Sequence, residues 1–151
     1  MDIDIVVKDD LLKQLVKNLS KEITVDVGIF DNEVANYAMK LEFGANDVYV
    51  PELDRKVDIP ARSFLQVPIE ENLQKELHLT EDDLLNENSQ IDKKIGEETK
   101  NIVEVTLHNE GYGKWVENSP EWKSYKAEHG YDTRILHKTG KLQESIEYRI
   151  K

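Results

Sequence analysis

A chain of 151 residues, 34% charged and 38% apolar, is sized for a single domain with a hydrophobic core of its own. The absence of cysteine excludes disulfides and thiolate chemistry and is compatible with a reducing cytosol, while no apolar run approaches the length of a membrane span and no basic segment at the start suggests secretion. The net charge of −11 repels phosphate and argues against specific nucleic-acid binding.

Taken in chain order, residues 2–7 alternate Ile3, Ile5 and Val7 with Asp2 and Asp4, which predicts a short strand. Asp9 or Asp10 is placed to cap a helix carrying Leu11, Leu12, Leu15, Val16 and Leu19 on one face. Ile23, Val25, Val27 and Ile29 alternate with Thr24, Asp26 and Gly28 as a half-buried strand. Asp31 or Asn32 opens a second helix with Val34, Ala35, Ala38 and Leu41 inward and Gly44 as its stop. Residues 45–58 contain the strand-like Val48, Tyr49 and Val50 broken at Pro51, so an extended loop, hairpin or inserted arm is expected there.

Beyond Leu65 the pattern turns helical. Val67, Ile69 and Leu73 open one helix, Leu84 and Leu85 mark an acidic second, and Ser89 followed by Asp92 has the form of a capping box. Ile91, Ile95, Ile102 and Val105 or Thr106 outline a helix of about five turns that runs toward Gly111, with Gly96 a weak point inside it. Ser119 and Pro120 make an N-cap and first-turn pair for a helix stopped at Gly130. Leu142 and Ser145 span one helical turn before Ile146, Tyr148 and Ile150 alternate as a closing strand. The fold class is α+β: a small mixed or antiparallel sheet with several helices packed on it, in one domain over residues 1–151.

Charge is unevenly placed. Residues 1–110 hold 12 Lys/Arg against 25 Asp/Glu, net −13; residues 111–151 hold 8 against 6, net +2. This suits solubility and charge complementarity with neighbours, or, more sharply, an acidic wall past which DNA slides without sticking.

Catalytic groups are not assembled by any spacing in the chain. His78, His108, His129 and His137 lack metal-ligand spacing and read as surface or interface residues. Neighbouring carboxylates such as Glu70-Glu71, Glu81-Asp82-Asp83 and Glu97-Glu98 point about 100° apart on a helix and form a solvated face. The acidic run over residues 82–88 lacks the glycine and ligand spacing of a calcium loop. Ser63, Ser119 and Ser145 have no nucleophile-elbow setting. No catalytic, cofactor or metal site is expected.

The most distinctive residues serve backbone geometry. Ile59-Pro60-Ala61-Arg62-Ser63-Phe64-Leu65 combines a fixed φ at Pro60, the five-donor fork of Arg62 and two large apolar side chains. Arg62 either bridges a carboxylate such as Glu42 or contacts a neighbouring subunit. Thr139-Gly140-Lys141-Leu142 places a glycine able to take positive φ before the apolar Leu142 and Ile146. Trp115 and Trp122 read as core or interface anchors, with Ser119-Pro120 breaking any common helix face.

With Ala35, Ala38, Leu41-Glu42-Phe43-Gly44, Ile135-Leu136 and Ser145-Ile146, these blocks resemble the tailed-phage virion-morphogenesis family, also called tail-completion or neck proteins. That family shows an E-F-G helix end, an I-P-A-R-x-F-L segment and a C-terminal I-L-x-x-T-G-x-L-x-x-S-I, with a Trp and a Lys-containing helix before the last. The likeness covers roughly residues 34–150. The first two blocks stand further apart here than is usual in the family, which marks residues 45–58 as an insertion, and residues 76–100 match nothing in it.

The resemblance implies a structural virion protein acting at the head–tail neck or in tail completion, with tail terminator or connector as nearby roles. It implies a homo-oligomeric ring or ring-bound subunit, other neck or tail proteins as partners, synthesis in the host cytoplasm and residence in the virion, through which DNA passes. Phe43, Gly44, Pro60, Arg62, Phe64, Leu65, Trp115, Trp122, Thr139, Gly140 and Leu142 are then its structural or interaction residues. The alternative from another class is an acidic inhibitor that mimics DNA phosphates to block a nuclease or restriction system. Lysines interleaved at helical spacing, as Lys75 with Glu70-Glu71, weigh against it.

Overall fold

The computed structural model describes residues 9–151; the strand expected over residues 2–7 lies outside the described residues. The elements run α1 (Asp9–Leu19), β1 (Val25–Ile29), α2 (Asn32–Phe43), β2 (Ala45–Val50), a 3-10 turn (Pro51–Leu53), β3 (Arg55–Ile59), α3 (Gln66–Glu76), α4 (Glu81–Leu85), α5 (Ile91–His108), a second 3-10 turn (Glu110–Gly113), α6 (Pro120–Glu128), α7 (Lys141–Glu144) and β4 (Ile146–Ile150). The fold is α+β. Its strand content is split into two separate antiparallel ribbons, β1 with β4 and β2 with β3.

The ribbon of β1 and β4 joins the two ends of the described chain, pairing Val25 with Ile150 and Ile29 with Ile146. Helix α5 lies across it and also packs on α3. It can lie this close because Gly96 has no side chain: a Cβ there would fall 2.3 Å from the ring of Tyr148 on β4. The glycine that weakens the helix by propensity is what lets the helix meet the sheet. Thr99 and Thr106, both buried on the same helix, donate their hydroxyls to the Ile95 and Ile102 carbonyls at 2.6 and 2.8 Å. Neither hydroxyl is therefore stranded in the core.

Val34, Ala38, Phe64, Val103, Leu107, Leu142 and Ile146 form the central cluster, with Ile29, Leu41, Leu65, Ile69, Trp115 and Leu136 packed at its margin. Phe64 is fully enclosed, a burial that contributes about 1.5–3 kcal/mol relative to exposure. Asp31 caps α2 by accepting from the Val34 N–H at 2.9 Å, and the inward positions Val34 and Ala38 are buried as the periodicity requires.

One local expectation, the capping box at Ser89, is corrected. The apolar stripe of α1 forms the expected helix, and its Leu11, Leu12, Val16 and Leu19 face solvent. What holds α1 is polar, the buried Asn18 donating to the Leu84 and Asn86 carbonyls at 2.6 and 3.1 Å beside α4. The capping box forms at α4, where Thr80 and Asp83 exchange bonds at 3.2 and 2.7 Å. At the start of α5 the N-cap is Gln90 without a side-chain bond, and the buried Ser89 Oγ has no partner among the described residues.

Residues 45–58 are a hairpin, as one of the expected forms. Its tip is tied to the C-terminal third by an Arg55–Glu121 ion pair and by Lys138 to Glu52 at 3.1 Å. Both are exposed or half-exposed contacts, each contributing little to stability.

Candidate functional site

The end of α2 and the start of α3 are locked together by one carboxylate. Glu42, buried, accepts from Ser63 Oγ at 2.6 Å and from the backbone N–H groups of Phe64, Leu65 and Gln66 at 2.8, 3.0 and 3.0 Å. The first N–H groups of a helix have no partner within it, and the helix dipole favours an anion there. Glu42 fills that place from 21 to 24 positions upstream. Ser63 Oγ in turn accepts from the Val67 N–H at 3.0 Å.

Gly44 seals the same junction by close approach. Its φ is +75°, and a Cβ would stand 2.9 Å from both the Ile59 carbonyl oxygen and the Ala61 nitrogen. The Arg62 N–H donates to the Leu41 carbonyl at 2.8 Å, completing the seam between the two blocks. After the half-buried Pro60 the chain stays free of regular structure through Ser63 and then bends, turning Phe64 into the core.

Arg62 does not bridge Glu42. Its buried guanidinium donates from Nε to the Val116 carbonyl at 2.7 Å and from Nη2 to the Glu117 carbonyl at 3.0 Å. The physical reason is that Glu42 is already saturated by four donors, while two main-chain acceptors lie along the guanidinium fork. The carboxylate bridge is therefore replaced by two main-chain contacts within the chain. Burial pushes its pKa down from the ordinary value, and Glu117 nearby partly offsets that.

The same strand of contacts fixes Trp115. Its Nε1 donates to the Ser63 carbonyl at 3.3 Å, and its ring covers Gly111, where a Cβ would fall 2.4 Å away. Gly111 belongs to a run in which Glu110, Gly111, Tyr112 and Gly113 all have φ between +52° and +75°. Such a left-handed turn is costly for Glu110 and Tyr112. Glu110 is held there by accepting from the Ile135 N–H at 2.7 Å.

The C-terminal block arrives by another route. Gly140, at φ +85°, precedes α7, and Leu142 enters the core beside Phe64. Thr139 and Gly140 line an open groove of about 650 Å³ with His108, Asp132, Arg134, His137 and Lys138, in which acidic and basic groups alternate. His137 is buried within the chain, against the expectation of a surface or interface residue, with Nδ1 2.8 Å from the Ile135 carbonyl.

Trp122 is not part of the junction. It stacks on Tyr125 at 5.3 Å, Tyr125 on His129 at 4.1 Å, and Tyr131 joins the edge. Lys138 Nζ sits 4.9 Å from the Tyr131 ring centre and 5.5 Å from that of Trp122, within cation–π range. Lys126, on the helix that Ser119 and Pro120 open, is 1% exposed and donates to the Arg134 and His137 carbonyls at 2.7 and 2.5 Å. Burial pushes its pKa down, opposed by Asp132 and Glu110. No local signal marks it, because the carbonyls that select a lysine lie in a loop 8 to 11 residues on.

Among the described residues no group of three or more His, Asp or Glu side chains is placed to hold a metal ion. Comparisons with family models, curated proteins and solved structures give no match to this chain.

Proposed function

We propose that this chain is a structural protein of a tailed phage or prophage, acting at the head–tail neck or in tail completion. Its mechanism is interface formation without turnover, in a homo-oligomeric ring or as a ring-bound subunit among other neck and tail proteins. It is made in the host cytoplasm and resides in the virion, where DNA passes the assembly without being bound specifically.

The observation that carries this is the convergence of the resembling blocks. Leu41, Glu42 and Gly44 bond or pack onto residues 59–66; Trp115 bonds to Ser63; and Phe64 meets Leu142 in one cluster. Residues that carry the likeness from separate parts of the chain thus make one structural unit. The buried charges of Glu42, Arg62 and Lys126 all bond to main-chain groups, so they set shape. The acidic-inhibitor alternative draws on net charge alone.

The test is deletion of the reading frame from the phage or prophage that carries it. Electron microscopy is expected to find filled heads and tails that are unjoined or malformed, with joining restored in trans by the wild-type gene. Normal, infectious virions from the deletion would overturn the proposal.

A further inference from the structure

The β2–β3 hairpin has a break in its ladder near the base and charged ties at its tip. At the base Ala45 pairs with Ile59, and the next pair is Val48 with Val57, so three steps along β2 answer two along β3. The extra residue makes a bulge, which interrupts the ladder and bends the strand that carries it. Asp47 stands there at φ +54°, its N–H donating to the Asp58 carboxylate at 3.0 Å. Below the bulge the ribbon is fixed by the close approach of Gly44 to Ile59 and Ala61. Above it, residues 48–57 include no buried residue.

Among the described residues, the hydrogen bonds and ion pairs that leave this outer part go to two side chains of the C-terminal third. Arg55 Nε donates to Glu121 at 3.1 Å, and Lys138 Nζ donates to Glu52 at 3.1 Å. The same Lys138 ammonium lies 4.9, 5.5 and 5.9 Å from the ring centres of Tyr131, Trp122 and Tyr125. Its place is therefore set by those rings as well as by Glu52. The four paired side chains are 30% to 51% exposed, so water and salt compete for each charge.

We propose that residues 48–57 form a hinged arm, latched to the C-terminal third by Arg55–Glu121 and Glu52–Lys138, which swings open at the bulge when those charges are screened or displaced. The two pairs act together. Above the bulge Val48, Tyr49 and Val50 pair in unbroken register with Val57, Lys56 and Arg55, and Tyr49 Oη donates to Asp54 at 2.6 Å. Glu52 and Arg55 thus travel on one tip, and losing either pair loosens the other. Opening strips Lys138 of its carboxylate while the rings keep the ammonium in place. A change of charge at the tip is converted into exposure of one lysine. This device belongs to the free chain and does not rest on the assembly reading.

Two readouts on the full chain test it. Acetylation of Lys138 by acetic anhydride, relative to the exposed Lys75 and followed by mass spectrometry, reports release of the ammonium. Single-molecule energy transfer between dyes at Lys56→Cys and Glu128→Cys, exposed positions outside the latch in a chain without cysteine, reports the arm itself.

Raising salt on wild type is expected to increase the Lys138 acetylation ratio and to broaden the transfer distribution. Arg55→Glu should do the same at low salt, raising the ratio roughly tenfold. An added carboxylate nearby would by itself keep the ammonium charged and less reactive, so a rise reports movement of the arm. Adding Glu121→Arg restores an opposite-charge pair and should return both readouts to wild type. Readouts that ignore salt, that stay at the wild-type value in Arg55→Glu, or that Glu121→Arg fails to restore would overturn the arm. Acetylation of the unsubstituted chain across the salt series decides the question where a variant fails to fold.

Discussion

The Glu42 carboxylate lies 2.8 Å from the backbone nitrogen of Phe64, so a residue in the last turn of α2 holds in place the residue that fills the core. Position and burial are coupled through one side chain.

Replacing that carboxylate should therefore be severe. Glu42→Ala leaves three main-chain N–H groups and Ser63 without their acceptor and is expected to cost about 2–4 kcal/mol. Glu42→Gln, with one acceptor oxygen kept, should fall between. Urea midpoints measure both; an alanine variant within about 0.5 kcal/mol of wild type, the ordinary range of a surface change, would remove Glu42 from this role.

Gly44 and Gly130 share a left-handed φ, +75° and +72°, but only Gly44 has backbone within reach of an added Cβ. Gly130→Ala should lose about 1 kcal/mol from strain alone. Gly44→Ala must also part the α2–α3 seam and should lose clearly more. Equal losses in parallel denaturation curves would show that the 2.9 Å approach carries no weight.

Gly96→Ala gains about 1 kcal/mol in helix propensity yet drives a methyl into the Tyr148 ring. The net effect should be destabilising in wild type. In a Tyr148→Ala background the same change should turn stabilising, so a double-mutant cycle should report strong coupling. Additive effects would contradict the packing described for α5 on β4.

Lys94 bonds to Asp83 at 2.6 Å and, with the Thr80 N–H, holds its carboxyl down at about 2, below the ordinary 3.8. A depressed carboxylate adds stability above its unfolded value and loses it as pH falls through the folded one, so this contribution fades between about pH 4 and pH 2. Carboxyl titration by NMR should show the low value and its rise in Lys94→Ala. An Asp83 that titrates normally in wild type, or ignores the Lys94 change, would contradict the pairing.

Local pattern carried the elements well, because helix and strand periods and the Gly44 and Gly130 stops depend on neighbours a few residues away. Phe64 was legible as core for the same reason: a large apolar side chain behind a proline-fixed segment has few other places to go. The partners were not legible. Arg62 read as a charge for a carboxylate or a neighbouring subunit, and it met carbonyls whose positions depend on the finished fold, as the buried Lys126 also did. Periodicity likewise marked the stripe of α1 but could not say what covers it. The box at Thr80 was missed because Ser89 and Asp92 have a similar spacing, and only the path of the chain decides between them.

Arg62 meets its acceptors 54 and 55 positions downstream. During synthesis at roughly 5–20 residues per second, several seconds separate the emergence of this guanidinium from that of Val116 and Glu117. Until then α2 and residues 59–66 can associate through Glu42, but the far wall of the junction does not exist. Closure is consequently a late, long-range event, slower than the helices that precede it. A ribosome-bound fragment ending before residue 116 cannot complete this junction, so its far wall closes only when most of the chain has emerged.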